Sequence, residues 1–82
     1  MATRRAAQAH AIFLAAAPTV SQDHPAMALR MLVSAMEAAS WFGSTAGLVV
    51  AGRLATGIIP GGDADARLYR DYAVGLAALA DR

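Results

Sequence analysis

His10, His24 and Glu37 are the side chains in this 82-residue chain best suited to general acid–base work. Such chemistry needs them to converge with a hydroxyl or a second carboxylate. His24 adjoins Asp23, but adjacency along the chain does not aim an imidazole at a nucleophile. Ser21, Ser34, Ser40 and Ser44 supply hydroxyls, and none lies in the Gly-x-Ser-x-Gly turn that presents a nucleophile. Asp63 and Asp65, beside Gly61-Gly62, match only the opening of a calcium loop. Its third acid, its sixth-position glycine and its closing glutamate are missing. Gly61-Gly62 also lacks the lysine of a phosphate loop. The chain contains no cysteine, which excludes disulfides and thiolate metal sites. The expectation is a protein with no enzymatic activity, no metal and no cofactor.

Charge narrows the binding classes. Seven arginines and no lysine stand against six acidic residues, a formal charge of +1. Duplex binders usually carry a basic stripe, because affinity comes largely from neutralising phosphates. Ala39, Gly43 and Val49 match three positions of a helix-turn-helix pattern. The helix that would read bases offers only Ser44, Thr45 and Arg53, too few for direct readout. An acyl carrier would need an Asp-Ser pair opening its second helix, and the sequence has none. Residues 38–52 are uncharged, but these 15 residues between Glu37 and Arg53 fall short of the roughly 20 that span a bilayer. Arg4, Arg5 and the alanine-rich run to Ala17 have the outline of an export signal. Gln8 and His10 interrupt its apolar stretch and Pro18 follows the apparent cleavage point, so a retained cytoplasmic helix is expected.

The elements that must position these residues are punctuated by proline. Pro18, Pro25 and Pro60, with Gly61-Gly62, separate four helical runs at about 3–17, 24–42, 44–59 and 64–80. No run alternates like a strand, so the fold class is all-α, a compact bundle of about four short helices forming one domain over 1–82. Thr3 is the expected cap of the first helix, which carries a single large apolar cluster, Ile12, Phe13 and Leu14. The second opens with Pro25, capped by Asp23 or His24. Its row Met27, Met31, Ala35, Ala38 and Phe42 is flanked by Leu29, Leu32, Val33 and Met36. Gly43, Gly47, Ala51 and Ala55 give the third helix a smooth row that lets a neighbouring backbone approach, so it is expected at the centre. Arg53 on that helix needs a partner, with Glu37 one candidate. Asp63 or Asp65 should cap the fourth helix, with Leu68, Tyr72, Leu76 and Leu79 inward and Arg67, Arg70 and Asp71 outward.

Size then points to function. Alanine accounts for 22 of the 82 residues, and only 25 large apolar residues are left to build a core. So short a chain buries a modest share of its surface, and self-association or a partner is the usual supplement. The expected function is a small interaction module, an accessory subunit, adaptor or inhibitor of a larger assembly. Its partner would be a protein, first of all a second copy in a homodimer, with DNA or a membrane surface as alternatives. Aromatic, Met and Arg residues anchor interfaces, which nominates Met27, Arg30, Met31, Met36, Trp41, Phe42 and Arg53. Trp41-Phe42-Gly43 resembles the Trp-x-Gly turn of small secreted helical-hairpin proteins. The prolines interrupt the two long helices such a hairpin requires, and no function follows from it.

Overall fold

Helix-end chemistry sets the boundaries. The computed structural model describes residues 2–81, with the backbone alone at Ala2 and Thr3; the expected Thr3 cap lies outside the described side chains. Four helices and no strand occur among these residues: α1 (Ala2–Val20), α2 (Pro25–Trp41), α3 (Thr45–Thr56) and α4 (Ala64–Ala80). Pro18 does not end α1 but sits in its last turn. There the Thr19 hydroxyl donates to the Ala16 carbonyl at 2.6 Å and that of Ser21 to the Pro18 carbonyl at 3.1 Å. The Ser21 bond serves a carbonyl that the helix end leaves without a partner. At the start of α2, Pro25 does occupy the first turn, but neither expected cap forms: His24 holds the capping position without a side-chain bond.

The α2–α3 turn is a Schellman closure followed at once by a new cap. Gly43 has φ +70°, the Gly43 N–H donates to Ser40 and the Ser44 N–H to Ala39 at 2.9 Å. The Ser44 hydroxyl then accepts from the Gly47 N–H at 2.9 Å and starts α3. Gly43 is therefore turn rather than part of the small-residue row. α3 ends at Thr56, before the β-branched pair Ile58-Ile59 and Pro60, which disfavours helix at the residue preceding it. Asp63 caps α4 as expected, accepting from the N–H groups of Asp65 and Ala66.

Consecutive helices run antiparallel. Phe13 lies by Ser34 and Ala6 by Trp41; Ala39 faces Gly47 and Leu32 faces Leu54; Gly52 faces Ala77. The central helix is α2, not α3: it packs extensively on all three others, whereas α3 touches α1 only lightly and α1 and α4 do not meet among the described residues. The Cα extents of 39 × 26 × 16 Å suit α1, α2 and α4 abreast with α3 behind, given helix spacings of about 8–10 Å.

The core is built from small side chains. Ten of the fourteen buried apolar residues described are alanine, and the large, fully buried ones are Leu29, Leu32 and Met36 of α2. The face expected to pack on α4 is mostly outside: Leu68, Tyr72 and Leu79 are 66%, 52% and 59% exposed, and only Leu76 joins the core's edge. Ala66, Ala73 and Ala77 pack instead. Nor does Arg70 face outward. It is half-buried, and its guanidinium donates to the Thr56 carbonyl at 3.1 Å, placing positive charge at the negative C-terminal end of α3.

His10 ties α1 to α3. Its Nε2 donates to the Gly47 carbonyl at 3.2 Å, and its ring meets Phe42 edge-on at 5.6 Å between centroids. His10→Ala removes both contacts and is expected to cost about 1–2 kcal/mol, measurable by urea denaturation. Unchanged stability would show that α1 docks without this tie.

Candidate functional site

The polar groups considered for chemistry do not gather. His10 is engaged by Gly47, and His24 stands exposed beyond the far end of α1, after about 15 Å of helix from residue 10 to residue 20. Glu37 lies by Arg5 and Trp41, on another side of α2 from His10's contact with α3. Among the described residues no cluster of three His, Asp or Glu is placed to hold a metal. The helix-turn-helix segment is largely committed to packing: Gly47, Ala51, Gly52 and Ala55 are buried, and the Ser44 hydroxyl serves as a cap. Arg53 remains the one cation on α3. No helix among the described residues is long and apolar enough to cross a membrane.

What the fold does assemble is an open face along α2. Met27, Ser34 and Trp41 recur at seven-residue spacing, which keeps them within about 20° of one line on a helix. Met31 and Ala38 flank that line toward α1, and Arg30 and Glu37 flank it toward α4. Two adjoining hollows follow this face. One, of about 390 Å³, lies between Phe13 of α1 and Tyr69 and Asp65 of α4, floored by Met27, Arg30 and Met31. The other, of about 820 Å³, runs along α1 from Phe13 to Arg5 and over Glu37 and Ala38 to Trp41. Phe13 and Ser34 line both, so the two form one groove.

The groove ends on its most exposed large apolar side chain. Trp41, at the last helical residue before the Gly43 turn, is 79% exposed, and Met27 at the opposite end is 50% exposed. On the neighbouring α4, Leu68 and Tyr72 lie within one or two turns of Asp65 and extend apolar surface beside the groove. Monomeric surfaces rarely leave several large apolar side chains contiguous.

Of the seven nominated contact residues, Met27, Arg30, Met31 and Trp41 share this groove. The others do not. Met36 is fully buried on the opposite side of α2, at the core. Phe42 is half-buried beyond the turn against His10. Arg53 lines a separate hollow of about 240 Å³ with Pro18, Ser21 and Ile58, away from Glu37, its expected partner. Sequence reasoning missed Arg5, Phe13, Ser34, Glu37, Asp65 and Tyr69 as lining residues. The repeat 27–34–41, with Arg30 and Glu37 at the same spacing, was the signal that marks the α2 part. Comparison of the chain with protein-family models, with curated proteins and with solved structures found no match.

Proposed function

We propose that the protein is a small, non-enzymatic interaction module of the cytoplasm that works by seating a helix of a protein partner along the α2 groove. The observation that carries this reading is Trp41, four-fifths exposed at the end of a continuous Met- and aromatic-lined groove. Met27 and Met31 at one end, Phe13 midway and Trp41 at the other give the groove apolar anchors along about four turns of α2, a length over which an amphipathic helix presents its own. Burial of Trp and Met against such a helix supplies most of the binding energy, and Arg5, Arg30, Glu37 and Asp65 at the edges set its orientation. An accessory subunit, an adaptor and an inhibitor would all act in this way. The contacts of α1 with α2 and α3 support reading that helix as part of the working domain rather than as a cleaved signal.

The test replaces Trp41 with a photoreactive benzoylphenylalanine in the producing cells, with the same group at exposed Arg67 as control. Protein adducts at position 41 and none at 67 are expected; equal labelling or none at 41 removes the groove as a binding site. With the partner identified, Trp41→Ala is expected to weaken binding by about 2 kcal/mol, as for a tryptophan that leaves water on binding. Far-UV circular dichroism should stay unchanged, because the indole lies outside the core.

A further inference from the structure

The residues along the groove floor are complementary to themselves when the helix is reversed. Resting on the reading of this face as a protein contact, we propose that its occupant is a second copy of the chain. The two α2 helices pair antiparallel about a twofold axis at Ser34. In that arrangement a residue faces one whose number adds with its own to about 68. Met27 then meets Trp41 of the second copy, thioether against indole. Arg30 meets Glu37 of the second copy, and each such contact occurs twice by symmetry. On the other flank the long Met31 lies over the small Ala38 of the second copy, and Ser34 at the axis lets the backbones approach.

Charge decides both the occupant and its direction. Arg30 and Glu37 lie on the same flank of α2, about 10 Å apart along the axis, too far to pair with each other. A twofold perpendicular to the helix keeps that flank facing itself and exchanges the two heights, so each charge meets its opposite. A parallel pairing, about a twofold along the helices, exchanges the flanks instead, so Arg30 would lie over Met31 of the second copy and Glu37 over Ala38, and neither charge would meet its opposite. A bilayer gives neither charge a fixed partner at this spacing. From Met27 to Trp41 the seam is about 21 Å long, and Leu68 and Tyr72 of α4 add apolar surface beside it.

The test is sedimentation equilibrium of the purified full chain as wild type, Arg30→Glu, Glu37→Arg and the double reversal, with tryptophan emission recorded on each. Trp41 is the only tryptophan, so its emission reports this face alone. Both charged side chains are exposed, so the variants should keep the wild-type helical signal. A wild-type dimer with blue-shifted emission is expected. Each single reversal should weaken it by about tenfold or more, and the double reversal should recover to within about threefold of wild type. A dimer insensitive to the single reversals, or one the double reversal fails to restore, overturns the pairing. So does a wild-type chain that stays monomeric at about 100 µM, a concentration that detects even weak association. A monomer whose position 41 crosslinks to a different protein leaves the interaction reading standing and overturns only self-pairing. A monomer that crosslinks to nothing removes both, and one that floats with phosphatidylcholine–phosphatidylserine vesicles makes the face a membrane surface instead.

Discussion

Leu32→Ala is expected to destabilise the protein by about 2–5 kcal/mol, whereas Leu68→Ala should stay within about 0.5 kcal/mol. The two changes remove the same atoms, so the difference measures position alone. Leu32 is fully buried, on the side of α2 that faces α3 and the end of α1, where it lines the floor of the hollow by Ala17 and Leu54. Leu54 and Ile58 line the same hollow and are the long side chains that can relax into the space. How far they do so sets where in that range the cost falls. Leu68 is two-thirds exposed and leaves no cavity. For a domain whose total stability is about 5–10 kcal/mol, losing Leu32 removes a large share. Urea denaturation of both variants, below the concentration at which the chain associates, checks the contrast. Similar losses would place Leu68 in the core and dissolve the apolar surplus on which the interaction reading rests.

That contrast also marks where the sequence was legible. Pro25, Pro60 and the Asp63 cap mark helix boundaries as expected, with α4 at Ala64–Ala80, although Pro18 lies inside α1 and Gly43 makes the α2–α3 turn. These signals act through local sterics and single hydrogen bonds, which a sequence carries in full. The inward face of α4 was not legible, because periodicity ranks residues by size. Leu68, Tyr72, Leu76 and Leu79 form the stripe that stands out, yet the helix turns Ala66, Ala73 and Ala77 to its neighbours. Close backbone approach multiplies many small dispersion contacts, and the large residues are left outside. The same rule explains the partial reading of the groove. Met27, Met31 and Trp41 stand out by their chemistry, and so does Met36, but it lies about 160° round the helix from Ser34 and is buried. Phe13, Asp65 and Tyr69 reach the groove only through the packing of α1 and α4 on α2. No spacing within the chain encodes that.

The α3–α4 contact gives the second large effect. Gly52 and Ala77 meet so closely that a methyl added to Gly52 would collide with the Ala77 Cβ, with the Ala73 carbonyl 3.4 Å away. In an exposed helix Gly→Ala stabilises by about 1 kcal/mol through backbone entropy. Here the sign is expected to reverse. Gly52→Ala should cost about 1–3 kcal/mol, because a Cβ has no rotamer by which to escape and the helices must separate. Separation would also stretch the Arg70 bond to the Thr56 carbonyl, one turn further along α3. Ala77→Gly alone opens a small void and weakens α4, which is destabilising too. Combined, the two changes exchange the methyl across the same contact, so the double variant should be more stable than the sum of the singles predicts, by about 1–3 kcal/mol. Additive losses in the urea-denaturation cycle would mean that α3 and α4 are not in contact at these residues. A coupling of the expected size makes this alanine–glycine seam a determinant of the fold, in a chain whose large side chains at Trp41 and Met27 stay exposed.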